Sequence, residues 1–218
     1  MQNFLIVQRG LEPYDLTYRA MRDVTSTRDA TTPDQLWLVT HPPVFTLGLG
    51  ADPANIIDAH HIPVVQTDRG GEVTFHGPGQ AIVYVLIDLR RRHIDGKLLA
   101  REFVHAIEQA IIDTLAAYNL NGERKAGAPG IYIASGVFSG AKIAALGLKV
   151  RVNGCTYHGL SLNVAMDLTP FSWIHPCGYE GLATVDMHTL GVDATVDSIQ
   201  AALADNLIQR LKGAAAAT

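Results

Sequence analysis

Ala81-Ile82-Val83-Tyr84-Val85-Leu86-Ile87-Asp88-Leu89 is apolar at odd and even positions alike. A strand with one wet face would alternate, so this segment reads as a central strand covered on both sides. Strand patterns surround it at 4–8, 35–40, 44–50, 64–67, 72–76, 129–134, 141–150 and 156–164. The 35–40 strand is stopped by His41-Pro42-Pro43, because proline cannot donate to a ladder. Segments 64–67 and 72–76 flank Asp68-Arg69-Gly70-Gly71 and predict a hairpin-like turn. Residues 121–127 and 135–140 read as loops. Helical spacing links Tyr14, Tyr18 and Met21 over 14–27, and Phe103, Ile107, Ile111, Leu115 and Tyr118 over 98–118. A last helix carries Val196, Ile199, Leu203, Leu207 and Leu211, with Asp197 and Gln200 as a capping-box-like start. The expected class is α+β or mixed α/β, a largely antiparallel sheet with packed helices. With no repeat or long linker, one domain is expected over 1–212, followed by a flexible tail at 213–218.

The chain has 218 residues, 48% hydrophobic and 17% charged. That apolar content excludes disorder as a class, and the length suffices for a sizeable core. Seventeen Lys and Arg stand against 21 Asp and Glu, a net charge of -4. Phosphate contacts with a nucleic acid would call for a basic excess, so no nucleic-acid partner is expected. Two cysteines, Cys155 and Cys177, are too few for a disulfide framework, and neither has zinc-ligand spacing. The opening MQNFLIVQRG lacks a basic stretch before its apolar run and does not read as a signal peptide. The longest apolar run falls far short of the ~20 residues of a membrane span. The expectation is a cytoplasmic protein without a membrane partner.

Cys177 sits in His175-Pro176-Cys177-Gly178-Tyr179, a loop by composition. Free backbone N–H groups and a neighbouring glycine suit a nucleophilic thiol, while a small buried cysteine is the plainer alternative. Lys142 is the second residue of the 141–150 strand, which is apolar on both faces, so it has no evident solvent side. A lysine near a core is rare unless it is paired or functional, the alternative being one that snorkels from a strand end. His158 shares strand parity with Leu160, Leu162 and Val164 and reads as a core histidine. His41, His60, His61 and His76 lack metal spacing, so no metal is expected. Gly48-Leu49-Gly50 lacks the third glycine of a dinucleotide loop, and there is no P-loop. The segment Arg69-Gly70-Gly71-Glu72-Val73-Thr74-Phe75-His76-Gly77-Pro78-Gly79-Gln80 is the densest. Its glycines allow a backbone to approach a ligand, so it reads as a binding wall, with an elaborate hairpin as the alternative.

These residues resemble the octanoyltransferases, the lipoate–protein ligase B type of acyltransferase. The resemblance rests on that block and on four others in order. They are Ala128-Pro129-Gly130-Ile131-Tyr132, Lys142-Ile143-Ala144-Ala145-Leu146-Gly147, Tyr157-His158-Gly159-Leu160-Ser161-Leu162-Asn163-Val164 and Pro176-Cys177-Gly178-Tyr179. The N-terminal third fits more loosely. The resemblance implies a fold similar to the biotin/lipoate protein ligase catalytic domain. It implies transfer of octanoyl from octanoyl-acyl carrier protein to a lysine of a lipoyl domain or of the glycine-cleavage H protein, without a cofactor. Cys177 then corresponds to the acyl-thioester nucleophile and Lys142 to the partner that lowers its pKa. Arg69, Gly70, Gly71, Glu72, Val73, Thr74, Phe75 and His76 correspond to substrate-binding positions. So do Ala145, Leu146 and Gly147, and Gly159, Leu160 and Ser161. The expected assembly is a monomer. Rival readings are an ATP-dependent lipoate–protein ligase, a lipoyl amidotransferase and a non-enzymatic binding module. An acidic carrier needs a basic patch, for which Arg90, Arg91 and Arg92 are the candidates.

Overall fold

The computed structural model describes residues 4–92, 100–176 and 181–213. The expected central strand is β6 (Gln80–Leu86), buried at all seven positions. It lies between β2 (Asp34–Thr40) and β10 (Thr156–Asn163), both antiparallel to it. Outward from β2 comes β1 (Phe4–Leu11), parallel to it. Outward from β10 come β9 (Lys142–Val150), β8 (Ala128–Ile133) and β7 (Gly122–Lys125), all antiparallel. The sheet order is therefore β1-β2-β6-β10-β9-β8-β7.

Period-2 alternation along β6 assigns its two faces to different layers. Ala81, Val83 and Val85 pack under α2 (Ala100–Ala116) and α3 (Val196–Gly213), with Ile107, Ile111, Leu203 and Leu207 opposite. Ile82, Tyr84 and Leu86 pack under α1 (Tyr14–Thr27), against Tyr14 and Met21. Fully burying a side chain such as Ile107 or Leu203 contributes roughly 1.5–3 kcal/mol, so these stripes hold the helices down. Among the described residues no helix is long and apolar enough to cross a membrane.

A second, small sheet is ordered β4-β3-β5, from β3 (Val44–Leu47), β4 (Val64–Gln66) and β5 (Thr74–His76). It corrects the hairpin expected around residues 68–71. β4 and β5 do not pair with each other; each pairs with β3, β4 in parallel and β5 antiparallel. The intervening loop is thereby free to cross to the main sheet, where the Gly70 N–H donates to the Leu148 carbonyl at 2.9 Å. Phe45, Phe75 and Phe171 anchor the small sheet, with ring centroids 5.5 and 5.6 Å apart.

Two other expectations change. Residues 121–127 are not simply a loop, since β7 occupies most of them. Its Gly-Glu-Arg-Lys sequence has no apolar alternation because it is an edge strand. Gly122 is required there: a Cβ would stand 2.8 Å from the Leu115 side chain and 2.9 Å from that of Ile131. At the last helix, Thr195 is the cap, its hydroxyl accepting the Ser198 N–H at 3.2 Å. Gln200 turns inward instead and donates to the Val39 and Ile82 carbonyls. Leu98 and Leu99, at the start of the expected second helix, and the tail beyond residue 213 lie outside the described residues.

Candidate active site

A cavity of about 230 Å³ opens between the α1 face of the main sheet and the small sheet. Small residues create it. Ala145 and Gly147 on β9 and Gly159 and Ser161 on β10 share that face, and they oppose each other in the ladder. At Gly159 a Cβ would meet the Val83 carbonyl oxygen at 2.1 Å, so only glycine fits against the neighbouring backbone. At Gly147 a Cβ would meet Cδ of Arg69 at 2.8 Å, so glycine there admits the arginine. Leu146, Leu160 and Val73 supply apolar wall.

Lys142 stands at one end of β9 and is 7% exposed. Its backbone is clamped in a short parallel bridge: its N–H donates to the Ala183 carbonyl at 2.8 Å, and its carbonyl accepts from Val185 at 3.0 Å. Its Nζ donates to the Pro129 carbonyl at 2.8 Å and lies 5.6 Å from the Tyr132 ring centroid. Gly130 makes that position available. Its φ is +123°, and a Cβ there would lie 2.6 Å from Cε of Lys142. Lys142 borders the cavity, as does Pro176, the residue before Cys177. Cys177 itself lies outside the described residues.

Arg69 is 7% exposed, and its guanidinium is held by oxygen atoms. It donates to the Thr46 hydroxyl and carbonyl at 2.9 and 2.6 Å, and to the Gly70 carbonyl at 3.0 Å. Around it stands a cluster of buried histidines and tyrosines. His41 donates from Nδ1 to the Glu12 carbonyl and accepts at Nε2 from the Tyr84 hydroxyl, at 2.7 and 2.8 Å. Gln80 donates to Asn163 and to the Phe75 carbonyl, so its oxygen faces His76 and accepts from Nδ1 at 2.8 Å. His76 Nε2 is then an acceptor. Burial lowers both histidines, His41 to about 4 and His76 to about 3, so both are neutral at pH 7.

His158 is buried, as expected of a core histidine, but on the other face of the sheet. Parity places it with Leu160 and Leu162 on the face covered by α2 and α3, yet its ring stacks on Tyr18 and Tyr157 on the α1 side. The reason is its φ of +60°, which rotates the side chain across the sheet. A non-glycine residue held there costs on the order of 1–3 kcal/mol, a cost commonly retained at functional sites. Its Nε2 lies 3.0 Å from Asp68 Oδ1. A carboxylate only accepts, so Nε2 carries the proton and Nδ1 presents a lone pair. Nδ1 is buried and has no hydrogen-bond partner among the described residues. Burial opposes ionisation of Asp68, but hydrogen bonds from His158, Tyr157 and Tyr18 outweigh it and hold the carboxyl well below its usual range. Burial lowers His158 more than Asp68 raises it.

The cavity brings together most of the residues singled out in the sequence. Lys142, Arg69, Gly71, Glu72, Val73, Thr74, His76, Ala145, Leu146, Gly147, Gly159, Leu160 and Ser161 line it. Gly70 and Phe75 do not: Gly70 is bonded to Leu148, and Phe75 is 3% exposed in the phenylalanine cluster. Tyr14, Gln80, Tyr84, Asn163 and Thr184 also line it and were not singled out as site residues. Tyr14 and Tyr84 looked like ordinary core positions in a stripe, and only their packing around Arg69 distinguishes them. Among the described residues no group of histidine, cysteine or carboxylate side chains could hold a metal. The arginine cluster is also engaged elsewhere. Arg90 donates to Asp88 at 2.9 and 2.7 Å, and Arg91 to the carbonyls of Thr32, Asp29 and Ala30. The Arg92 side chain is outside the described set.

A family model described as the lipoyl protein ligase A/B catalytic domain matches residues 13–214. An octanoyltransferase from Herminiimonas arsenicoxydans is 67% identical over 209 residues, 96% of this chain and 97% of that protein. Among solved structures, a bipartite lipoate protein ligase from Thermoplasma acidophilum matches with a TM-score of 0.72 at 16% identity. That match covers 97% of this chain and 84% of the other. Biotin protein ligase from Aquifex aeolicus matches with a TM-score of 0.54 at 10% identity, over 98% and 71% of the two chains. The two structural likenesses establish the mixed, largely antiparallel fold.

Proposed function

Because the chain belongs to the octanoyltransferase family of lipoyl protein ligase A/B catalytic domains, and is an acyltransferase of lipoate biosynthesis, we propose the route that its acyl group takes. Octanoyl comes from octanoyl-acyl carrier protein, passes through a thioester on Cys177, and ends on a lysine of a lipoyl domain or of the glycine-cleavage H protein. The observation that carries this reading is one apolar-walled cavity bordered by both Lys142 and Pro176. An alkyl chain fits the wall, while the one buried cation on β9 stands beside the segment that leads into Cys177.

A cation near a thiol favours the thiolate, which is the nucleophile. The Cys177 thiolate attacks the octanoyl carbonyl, a C–S bond forms, and the bond to the carrier sulfur breaks. The departing carrier thiolate takes a proton from Lys142. The acceptor lysine amine then attacks the new thioester, a C–N bond forms, and the Cys177 thiolate leaves. The proton lost by the amine returns to Lys142. The donor is already a thioester, so neither step calls on a nucleotide.

The test is intact-protein mass spectrometry after mixing with octanoyl-acyl carrier protein in the absence of ATP. A single octanoyl adduct is expected on the wild type and none on Cys177→Ala. Lys142→Ala should form the adduct more slowly, with its pH–rate profile displaced to higher pH. An adduct that persists in Cys177→Ala, or transfer that occurs only with ATP, would overturn the proposal.

A further inference from the structure

We propose that the groove formed by Arg19 and Arg22 of α1 and by Lys149 and Arg151 at the far end of β9 is the docking surface for the acidic carrier domain that delivers the acyl group. The inference rests on the donor assigned above. The groove has a volume of about 520 Å³ and is distinct from the acyl cavity. Arg19 and Arg22 lie three residues apart on the exposed side of a helix whose opposite side buries Tyr14, Thr17, Met21 and Thr25. Lys149 pairs with Tyr157 across the ladder and so stands over the same edge.

None of these four cations forms an ion pair among the described residues. The two carboxylates in the groove are Asp23 and Asp68, and Asp68 is occupied by hydrogen bonds from Tyr157 and His158. A surplus of positive charge is thus gathered at one place on a chain whose net charge is -4. Such a field accelerates encounter with an acidic partner and orients it, more than it adds raw affinity. The contrast with Arg90 and Arg91 is direct, because those guanidiniums are committed to Asp88 and to loop carbonyls.

Position distinguishes the donor from the acceptor. The groove shares a wall with the acyl cavity, since Asp68 and Tyr157 face the groove while their neighbours Arg69 and His158 face the cavity. Lys149 is seven residues along β9 from Lys142, about 23 Å at the rise of a strand. A lysine on its four-carbon stem cannot bridge that length from a domain seated here. A carrier whose acyl group rides on a long phosphopantetheine arm can.

Charge-reversal pairs test the surface: Arg19→Glu with Arg22→Glu, and Lys149→Glu with Arg151→Glu. Each pair should lower kcat/KM for octanoyl-acyl carrier protein at least tenfold in low salt and flatten its dependence on ionic strength. With octanoyl-pantetheine, which carries no acidic domain, kcat/KM should stay within twofold of the wild type. An equal loss with both donors, no loss with the carrier, or an effect confined to KM for the lipoyl domain would overturn the docking surface. Wild-type protein that takes octanoyl from neither donor would instead remove the functional reading, and the docking surface with it.

Discussion

The Lys142 ammonium reaches the Pro129 carbonyl because residue 130 has no side chain: a Cβ on Gly130 would sit 2.6 Å from Lys142 Cε and 2.5 Å from the Ala144 carbonyl. Gly130→Ala therefore has to move the lysine or the strand, and its φ of +123° adds backbone strain. The expected cost is on the order of 2 kcal/mol in urea unfolding. The rate of octanoyl-adduct formation per folded molecule should fall at least tenfold. A variant that keeps the wild-type rate would show that Gly130 does not set the position of Lys142.

Gly147 and Gly159 oppose each other in the ladder but answer to different neighbours. Gly159→Ala drives a methyl into the Val83 backbone of the central strand, which cannot yield, so a loss of about 3 kcal/mol or more is expected in chemical unfolding. Gly147→Ala meets the Arg69 side chain rather than backbone at its nearest contact, so the methyl is admitted by a shift of that side chain and of its hydrogen bonds to Thr46. Its stability should drop by about 1 kcal/mol, while KM for the acyl donor rises several-fold. Equal losses of stability in the two variants would contradict this division.

Cys155 is 1% exposed, and burial raises its thiol above the ordinary value. It should stay protonated and resist iodoacetamide at pH 8 in the folded protein. Cys155→Ala should leave both the octanoyl adduct and the transfer rate unchanged. Alkylation of Cys155 at the rate of a free thiol would refute its burial.

His41 is neutral in the folded protein, at about 4 against 6.5 for an unhindered imidazole. Below pH 6.5 the unfolded chain takes up a proton that the native state refuses. Stability is therefore fully present above pH 6.5 and is lost as pH falls towards 4, by on the order of 3 kcal/mol from this residue. His76 acts in the same direction, its loss extending to about pH 3. His41→Gln should be less stable at pH 7 but lose less between pH 6.5 and 4, as read from thermal unfolding at each pH. A slope equal to that of the wild type would remove His41 as the cause.

Local pattern determined much of this protein. β6 is apolar on both parities because both of its faces are covered, and the stripes of α2 and α3 are the surfaces that cover one of them. The glycine-rich segment from Arg69 and the block from Lys142 announced a wall around a ligand, because glycine and an isolated core lysine are costly unless something needs them. Tertiary structure alone decided the rest. β4 and β5 look like a hairpin in sequence, but each gains more from pairing with β3, which no local signal encodes. His158 obeys strand parity in sequence and breaks it in space, because one positive φ exchanges the face of its side chain. Arg90 and Arg91 look like a docking cluster until Asp88 and the loop carbonyls claim them. Arg19 with Arg22 and Lys149 with Arg151, two pairs more than a hundred residues apart, become one charged groove only when α1 packs beside the end of β9. Spacing along the chain reports which face a residue takes within its own element, whereas partners distant in sequence are chosen by packing.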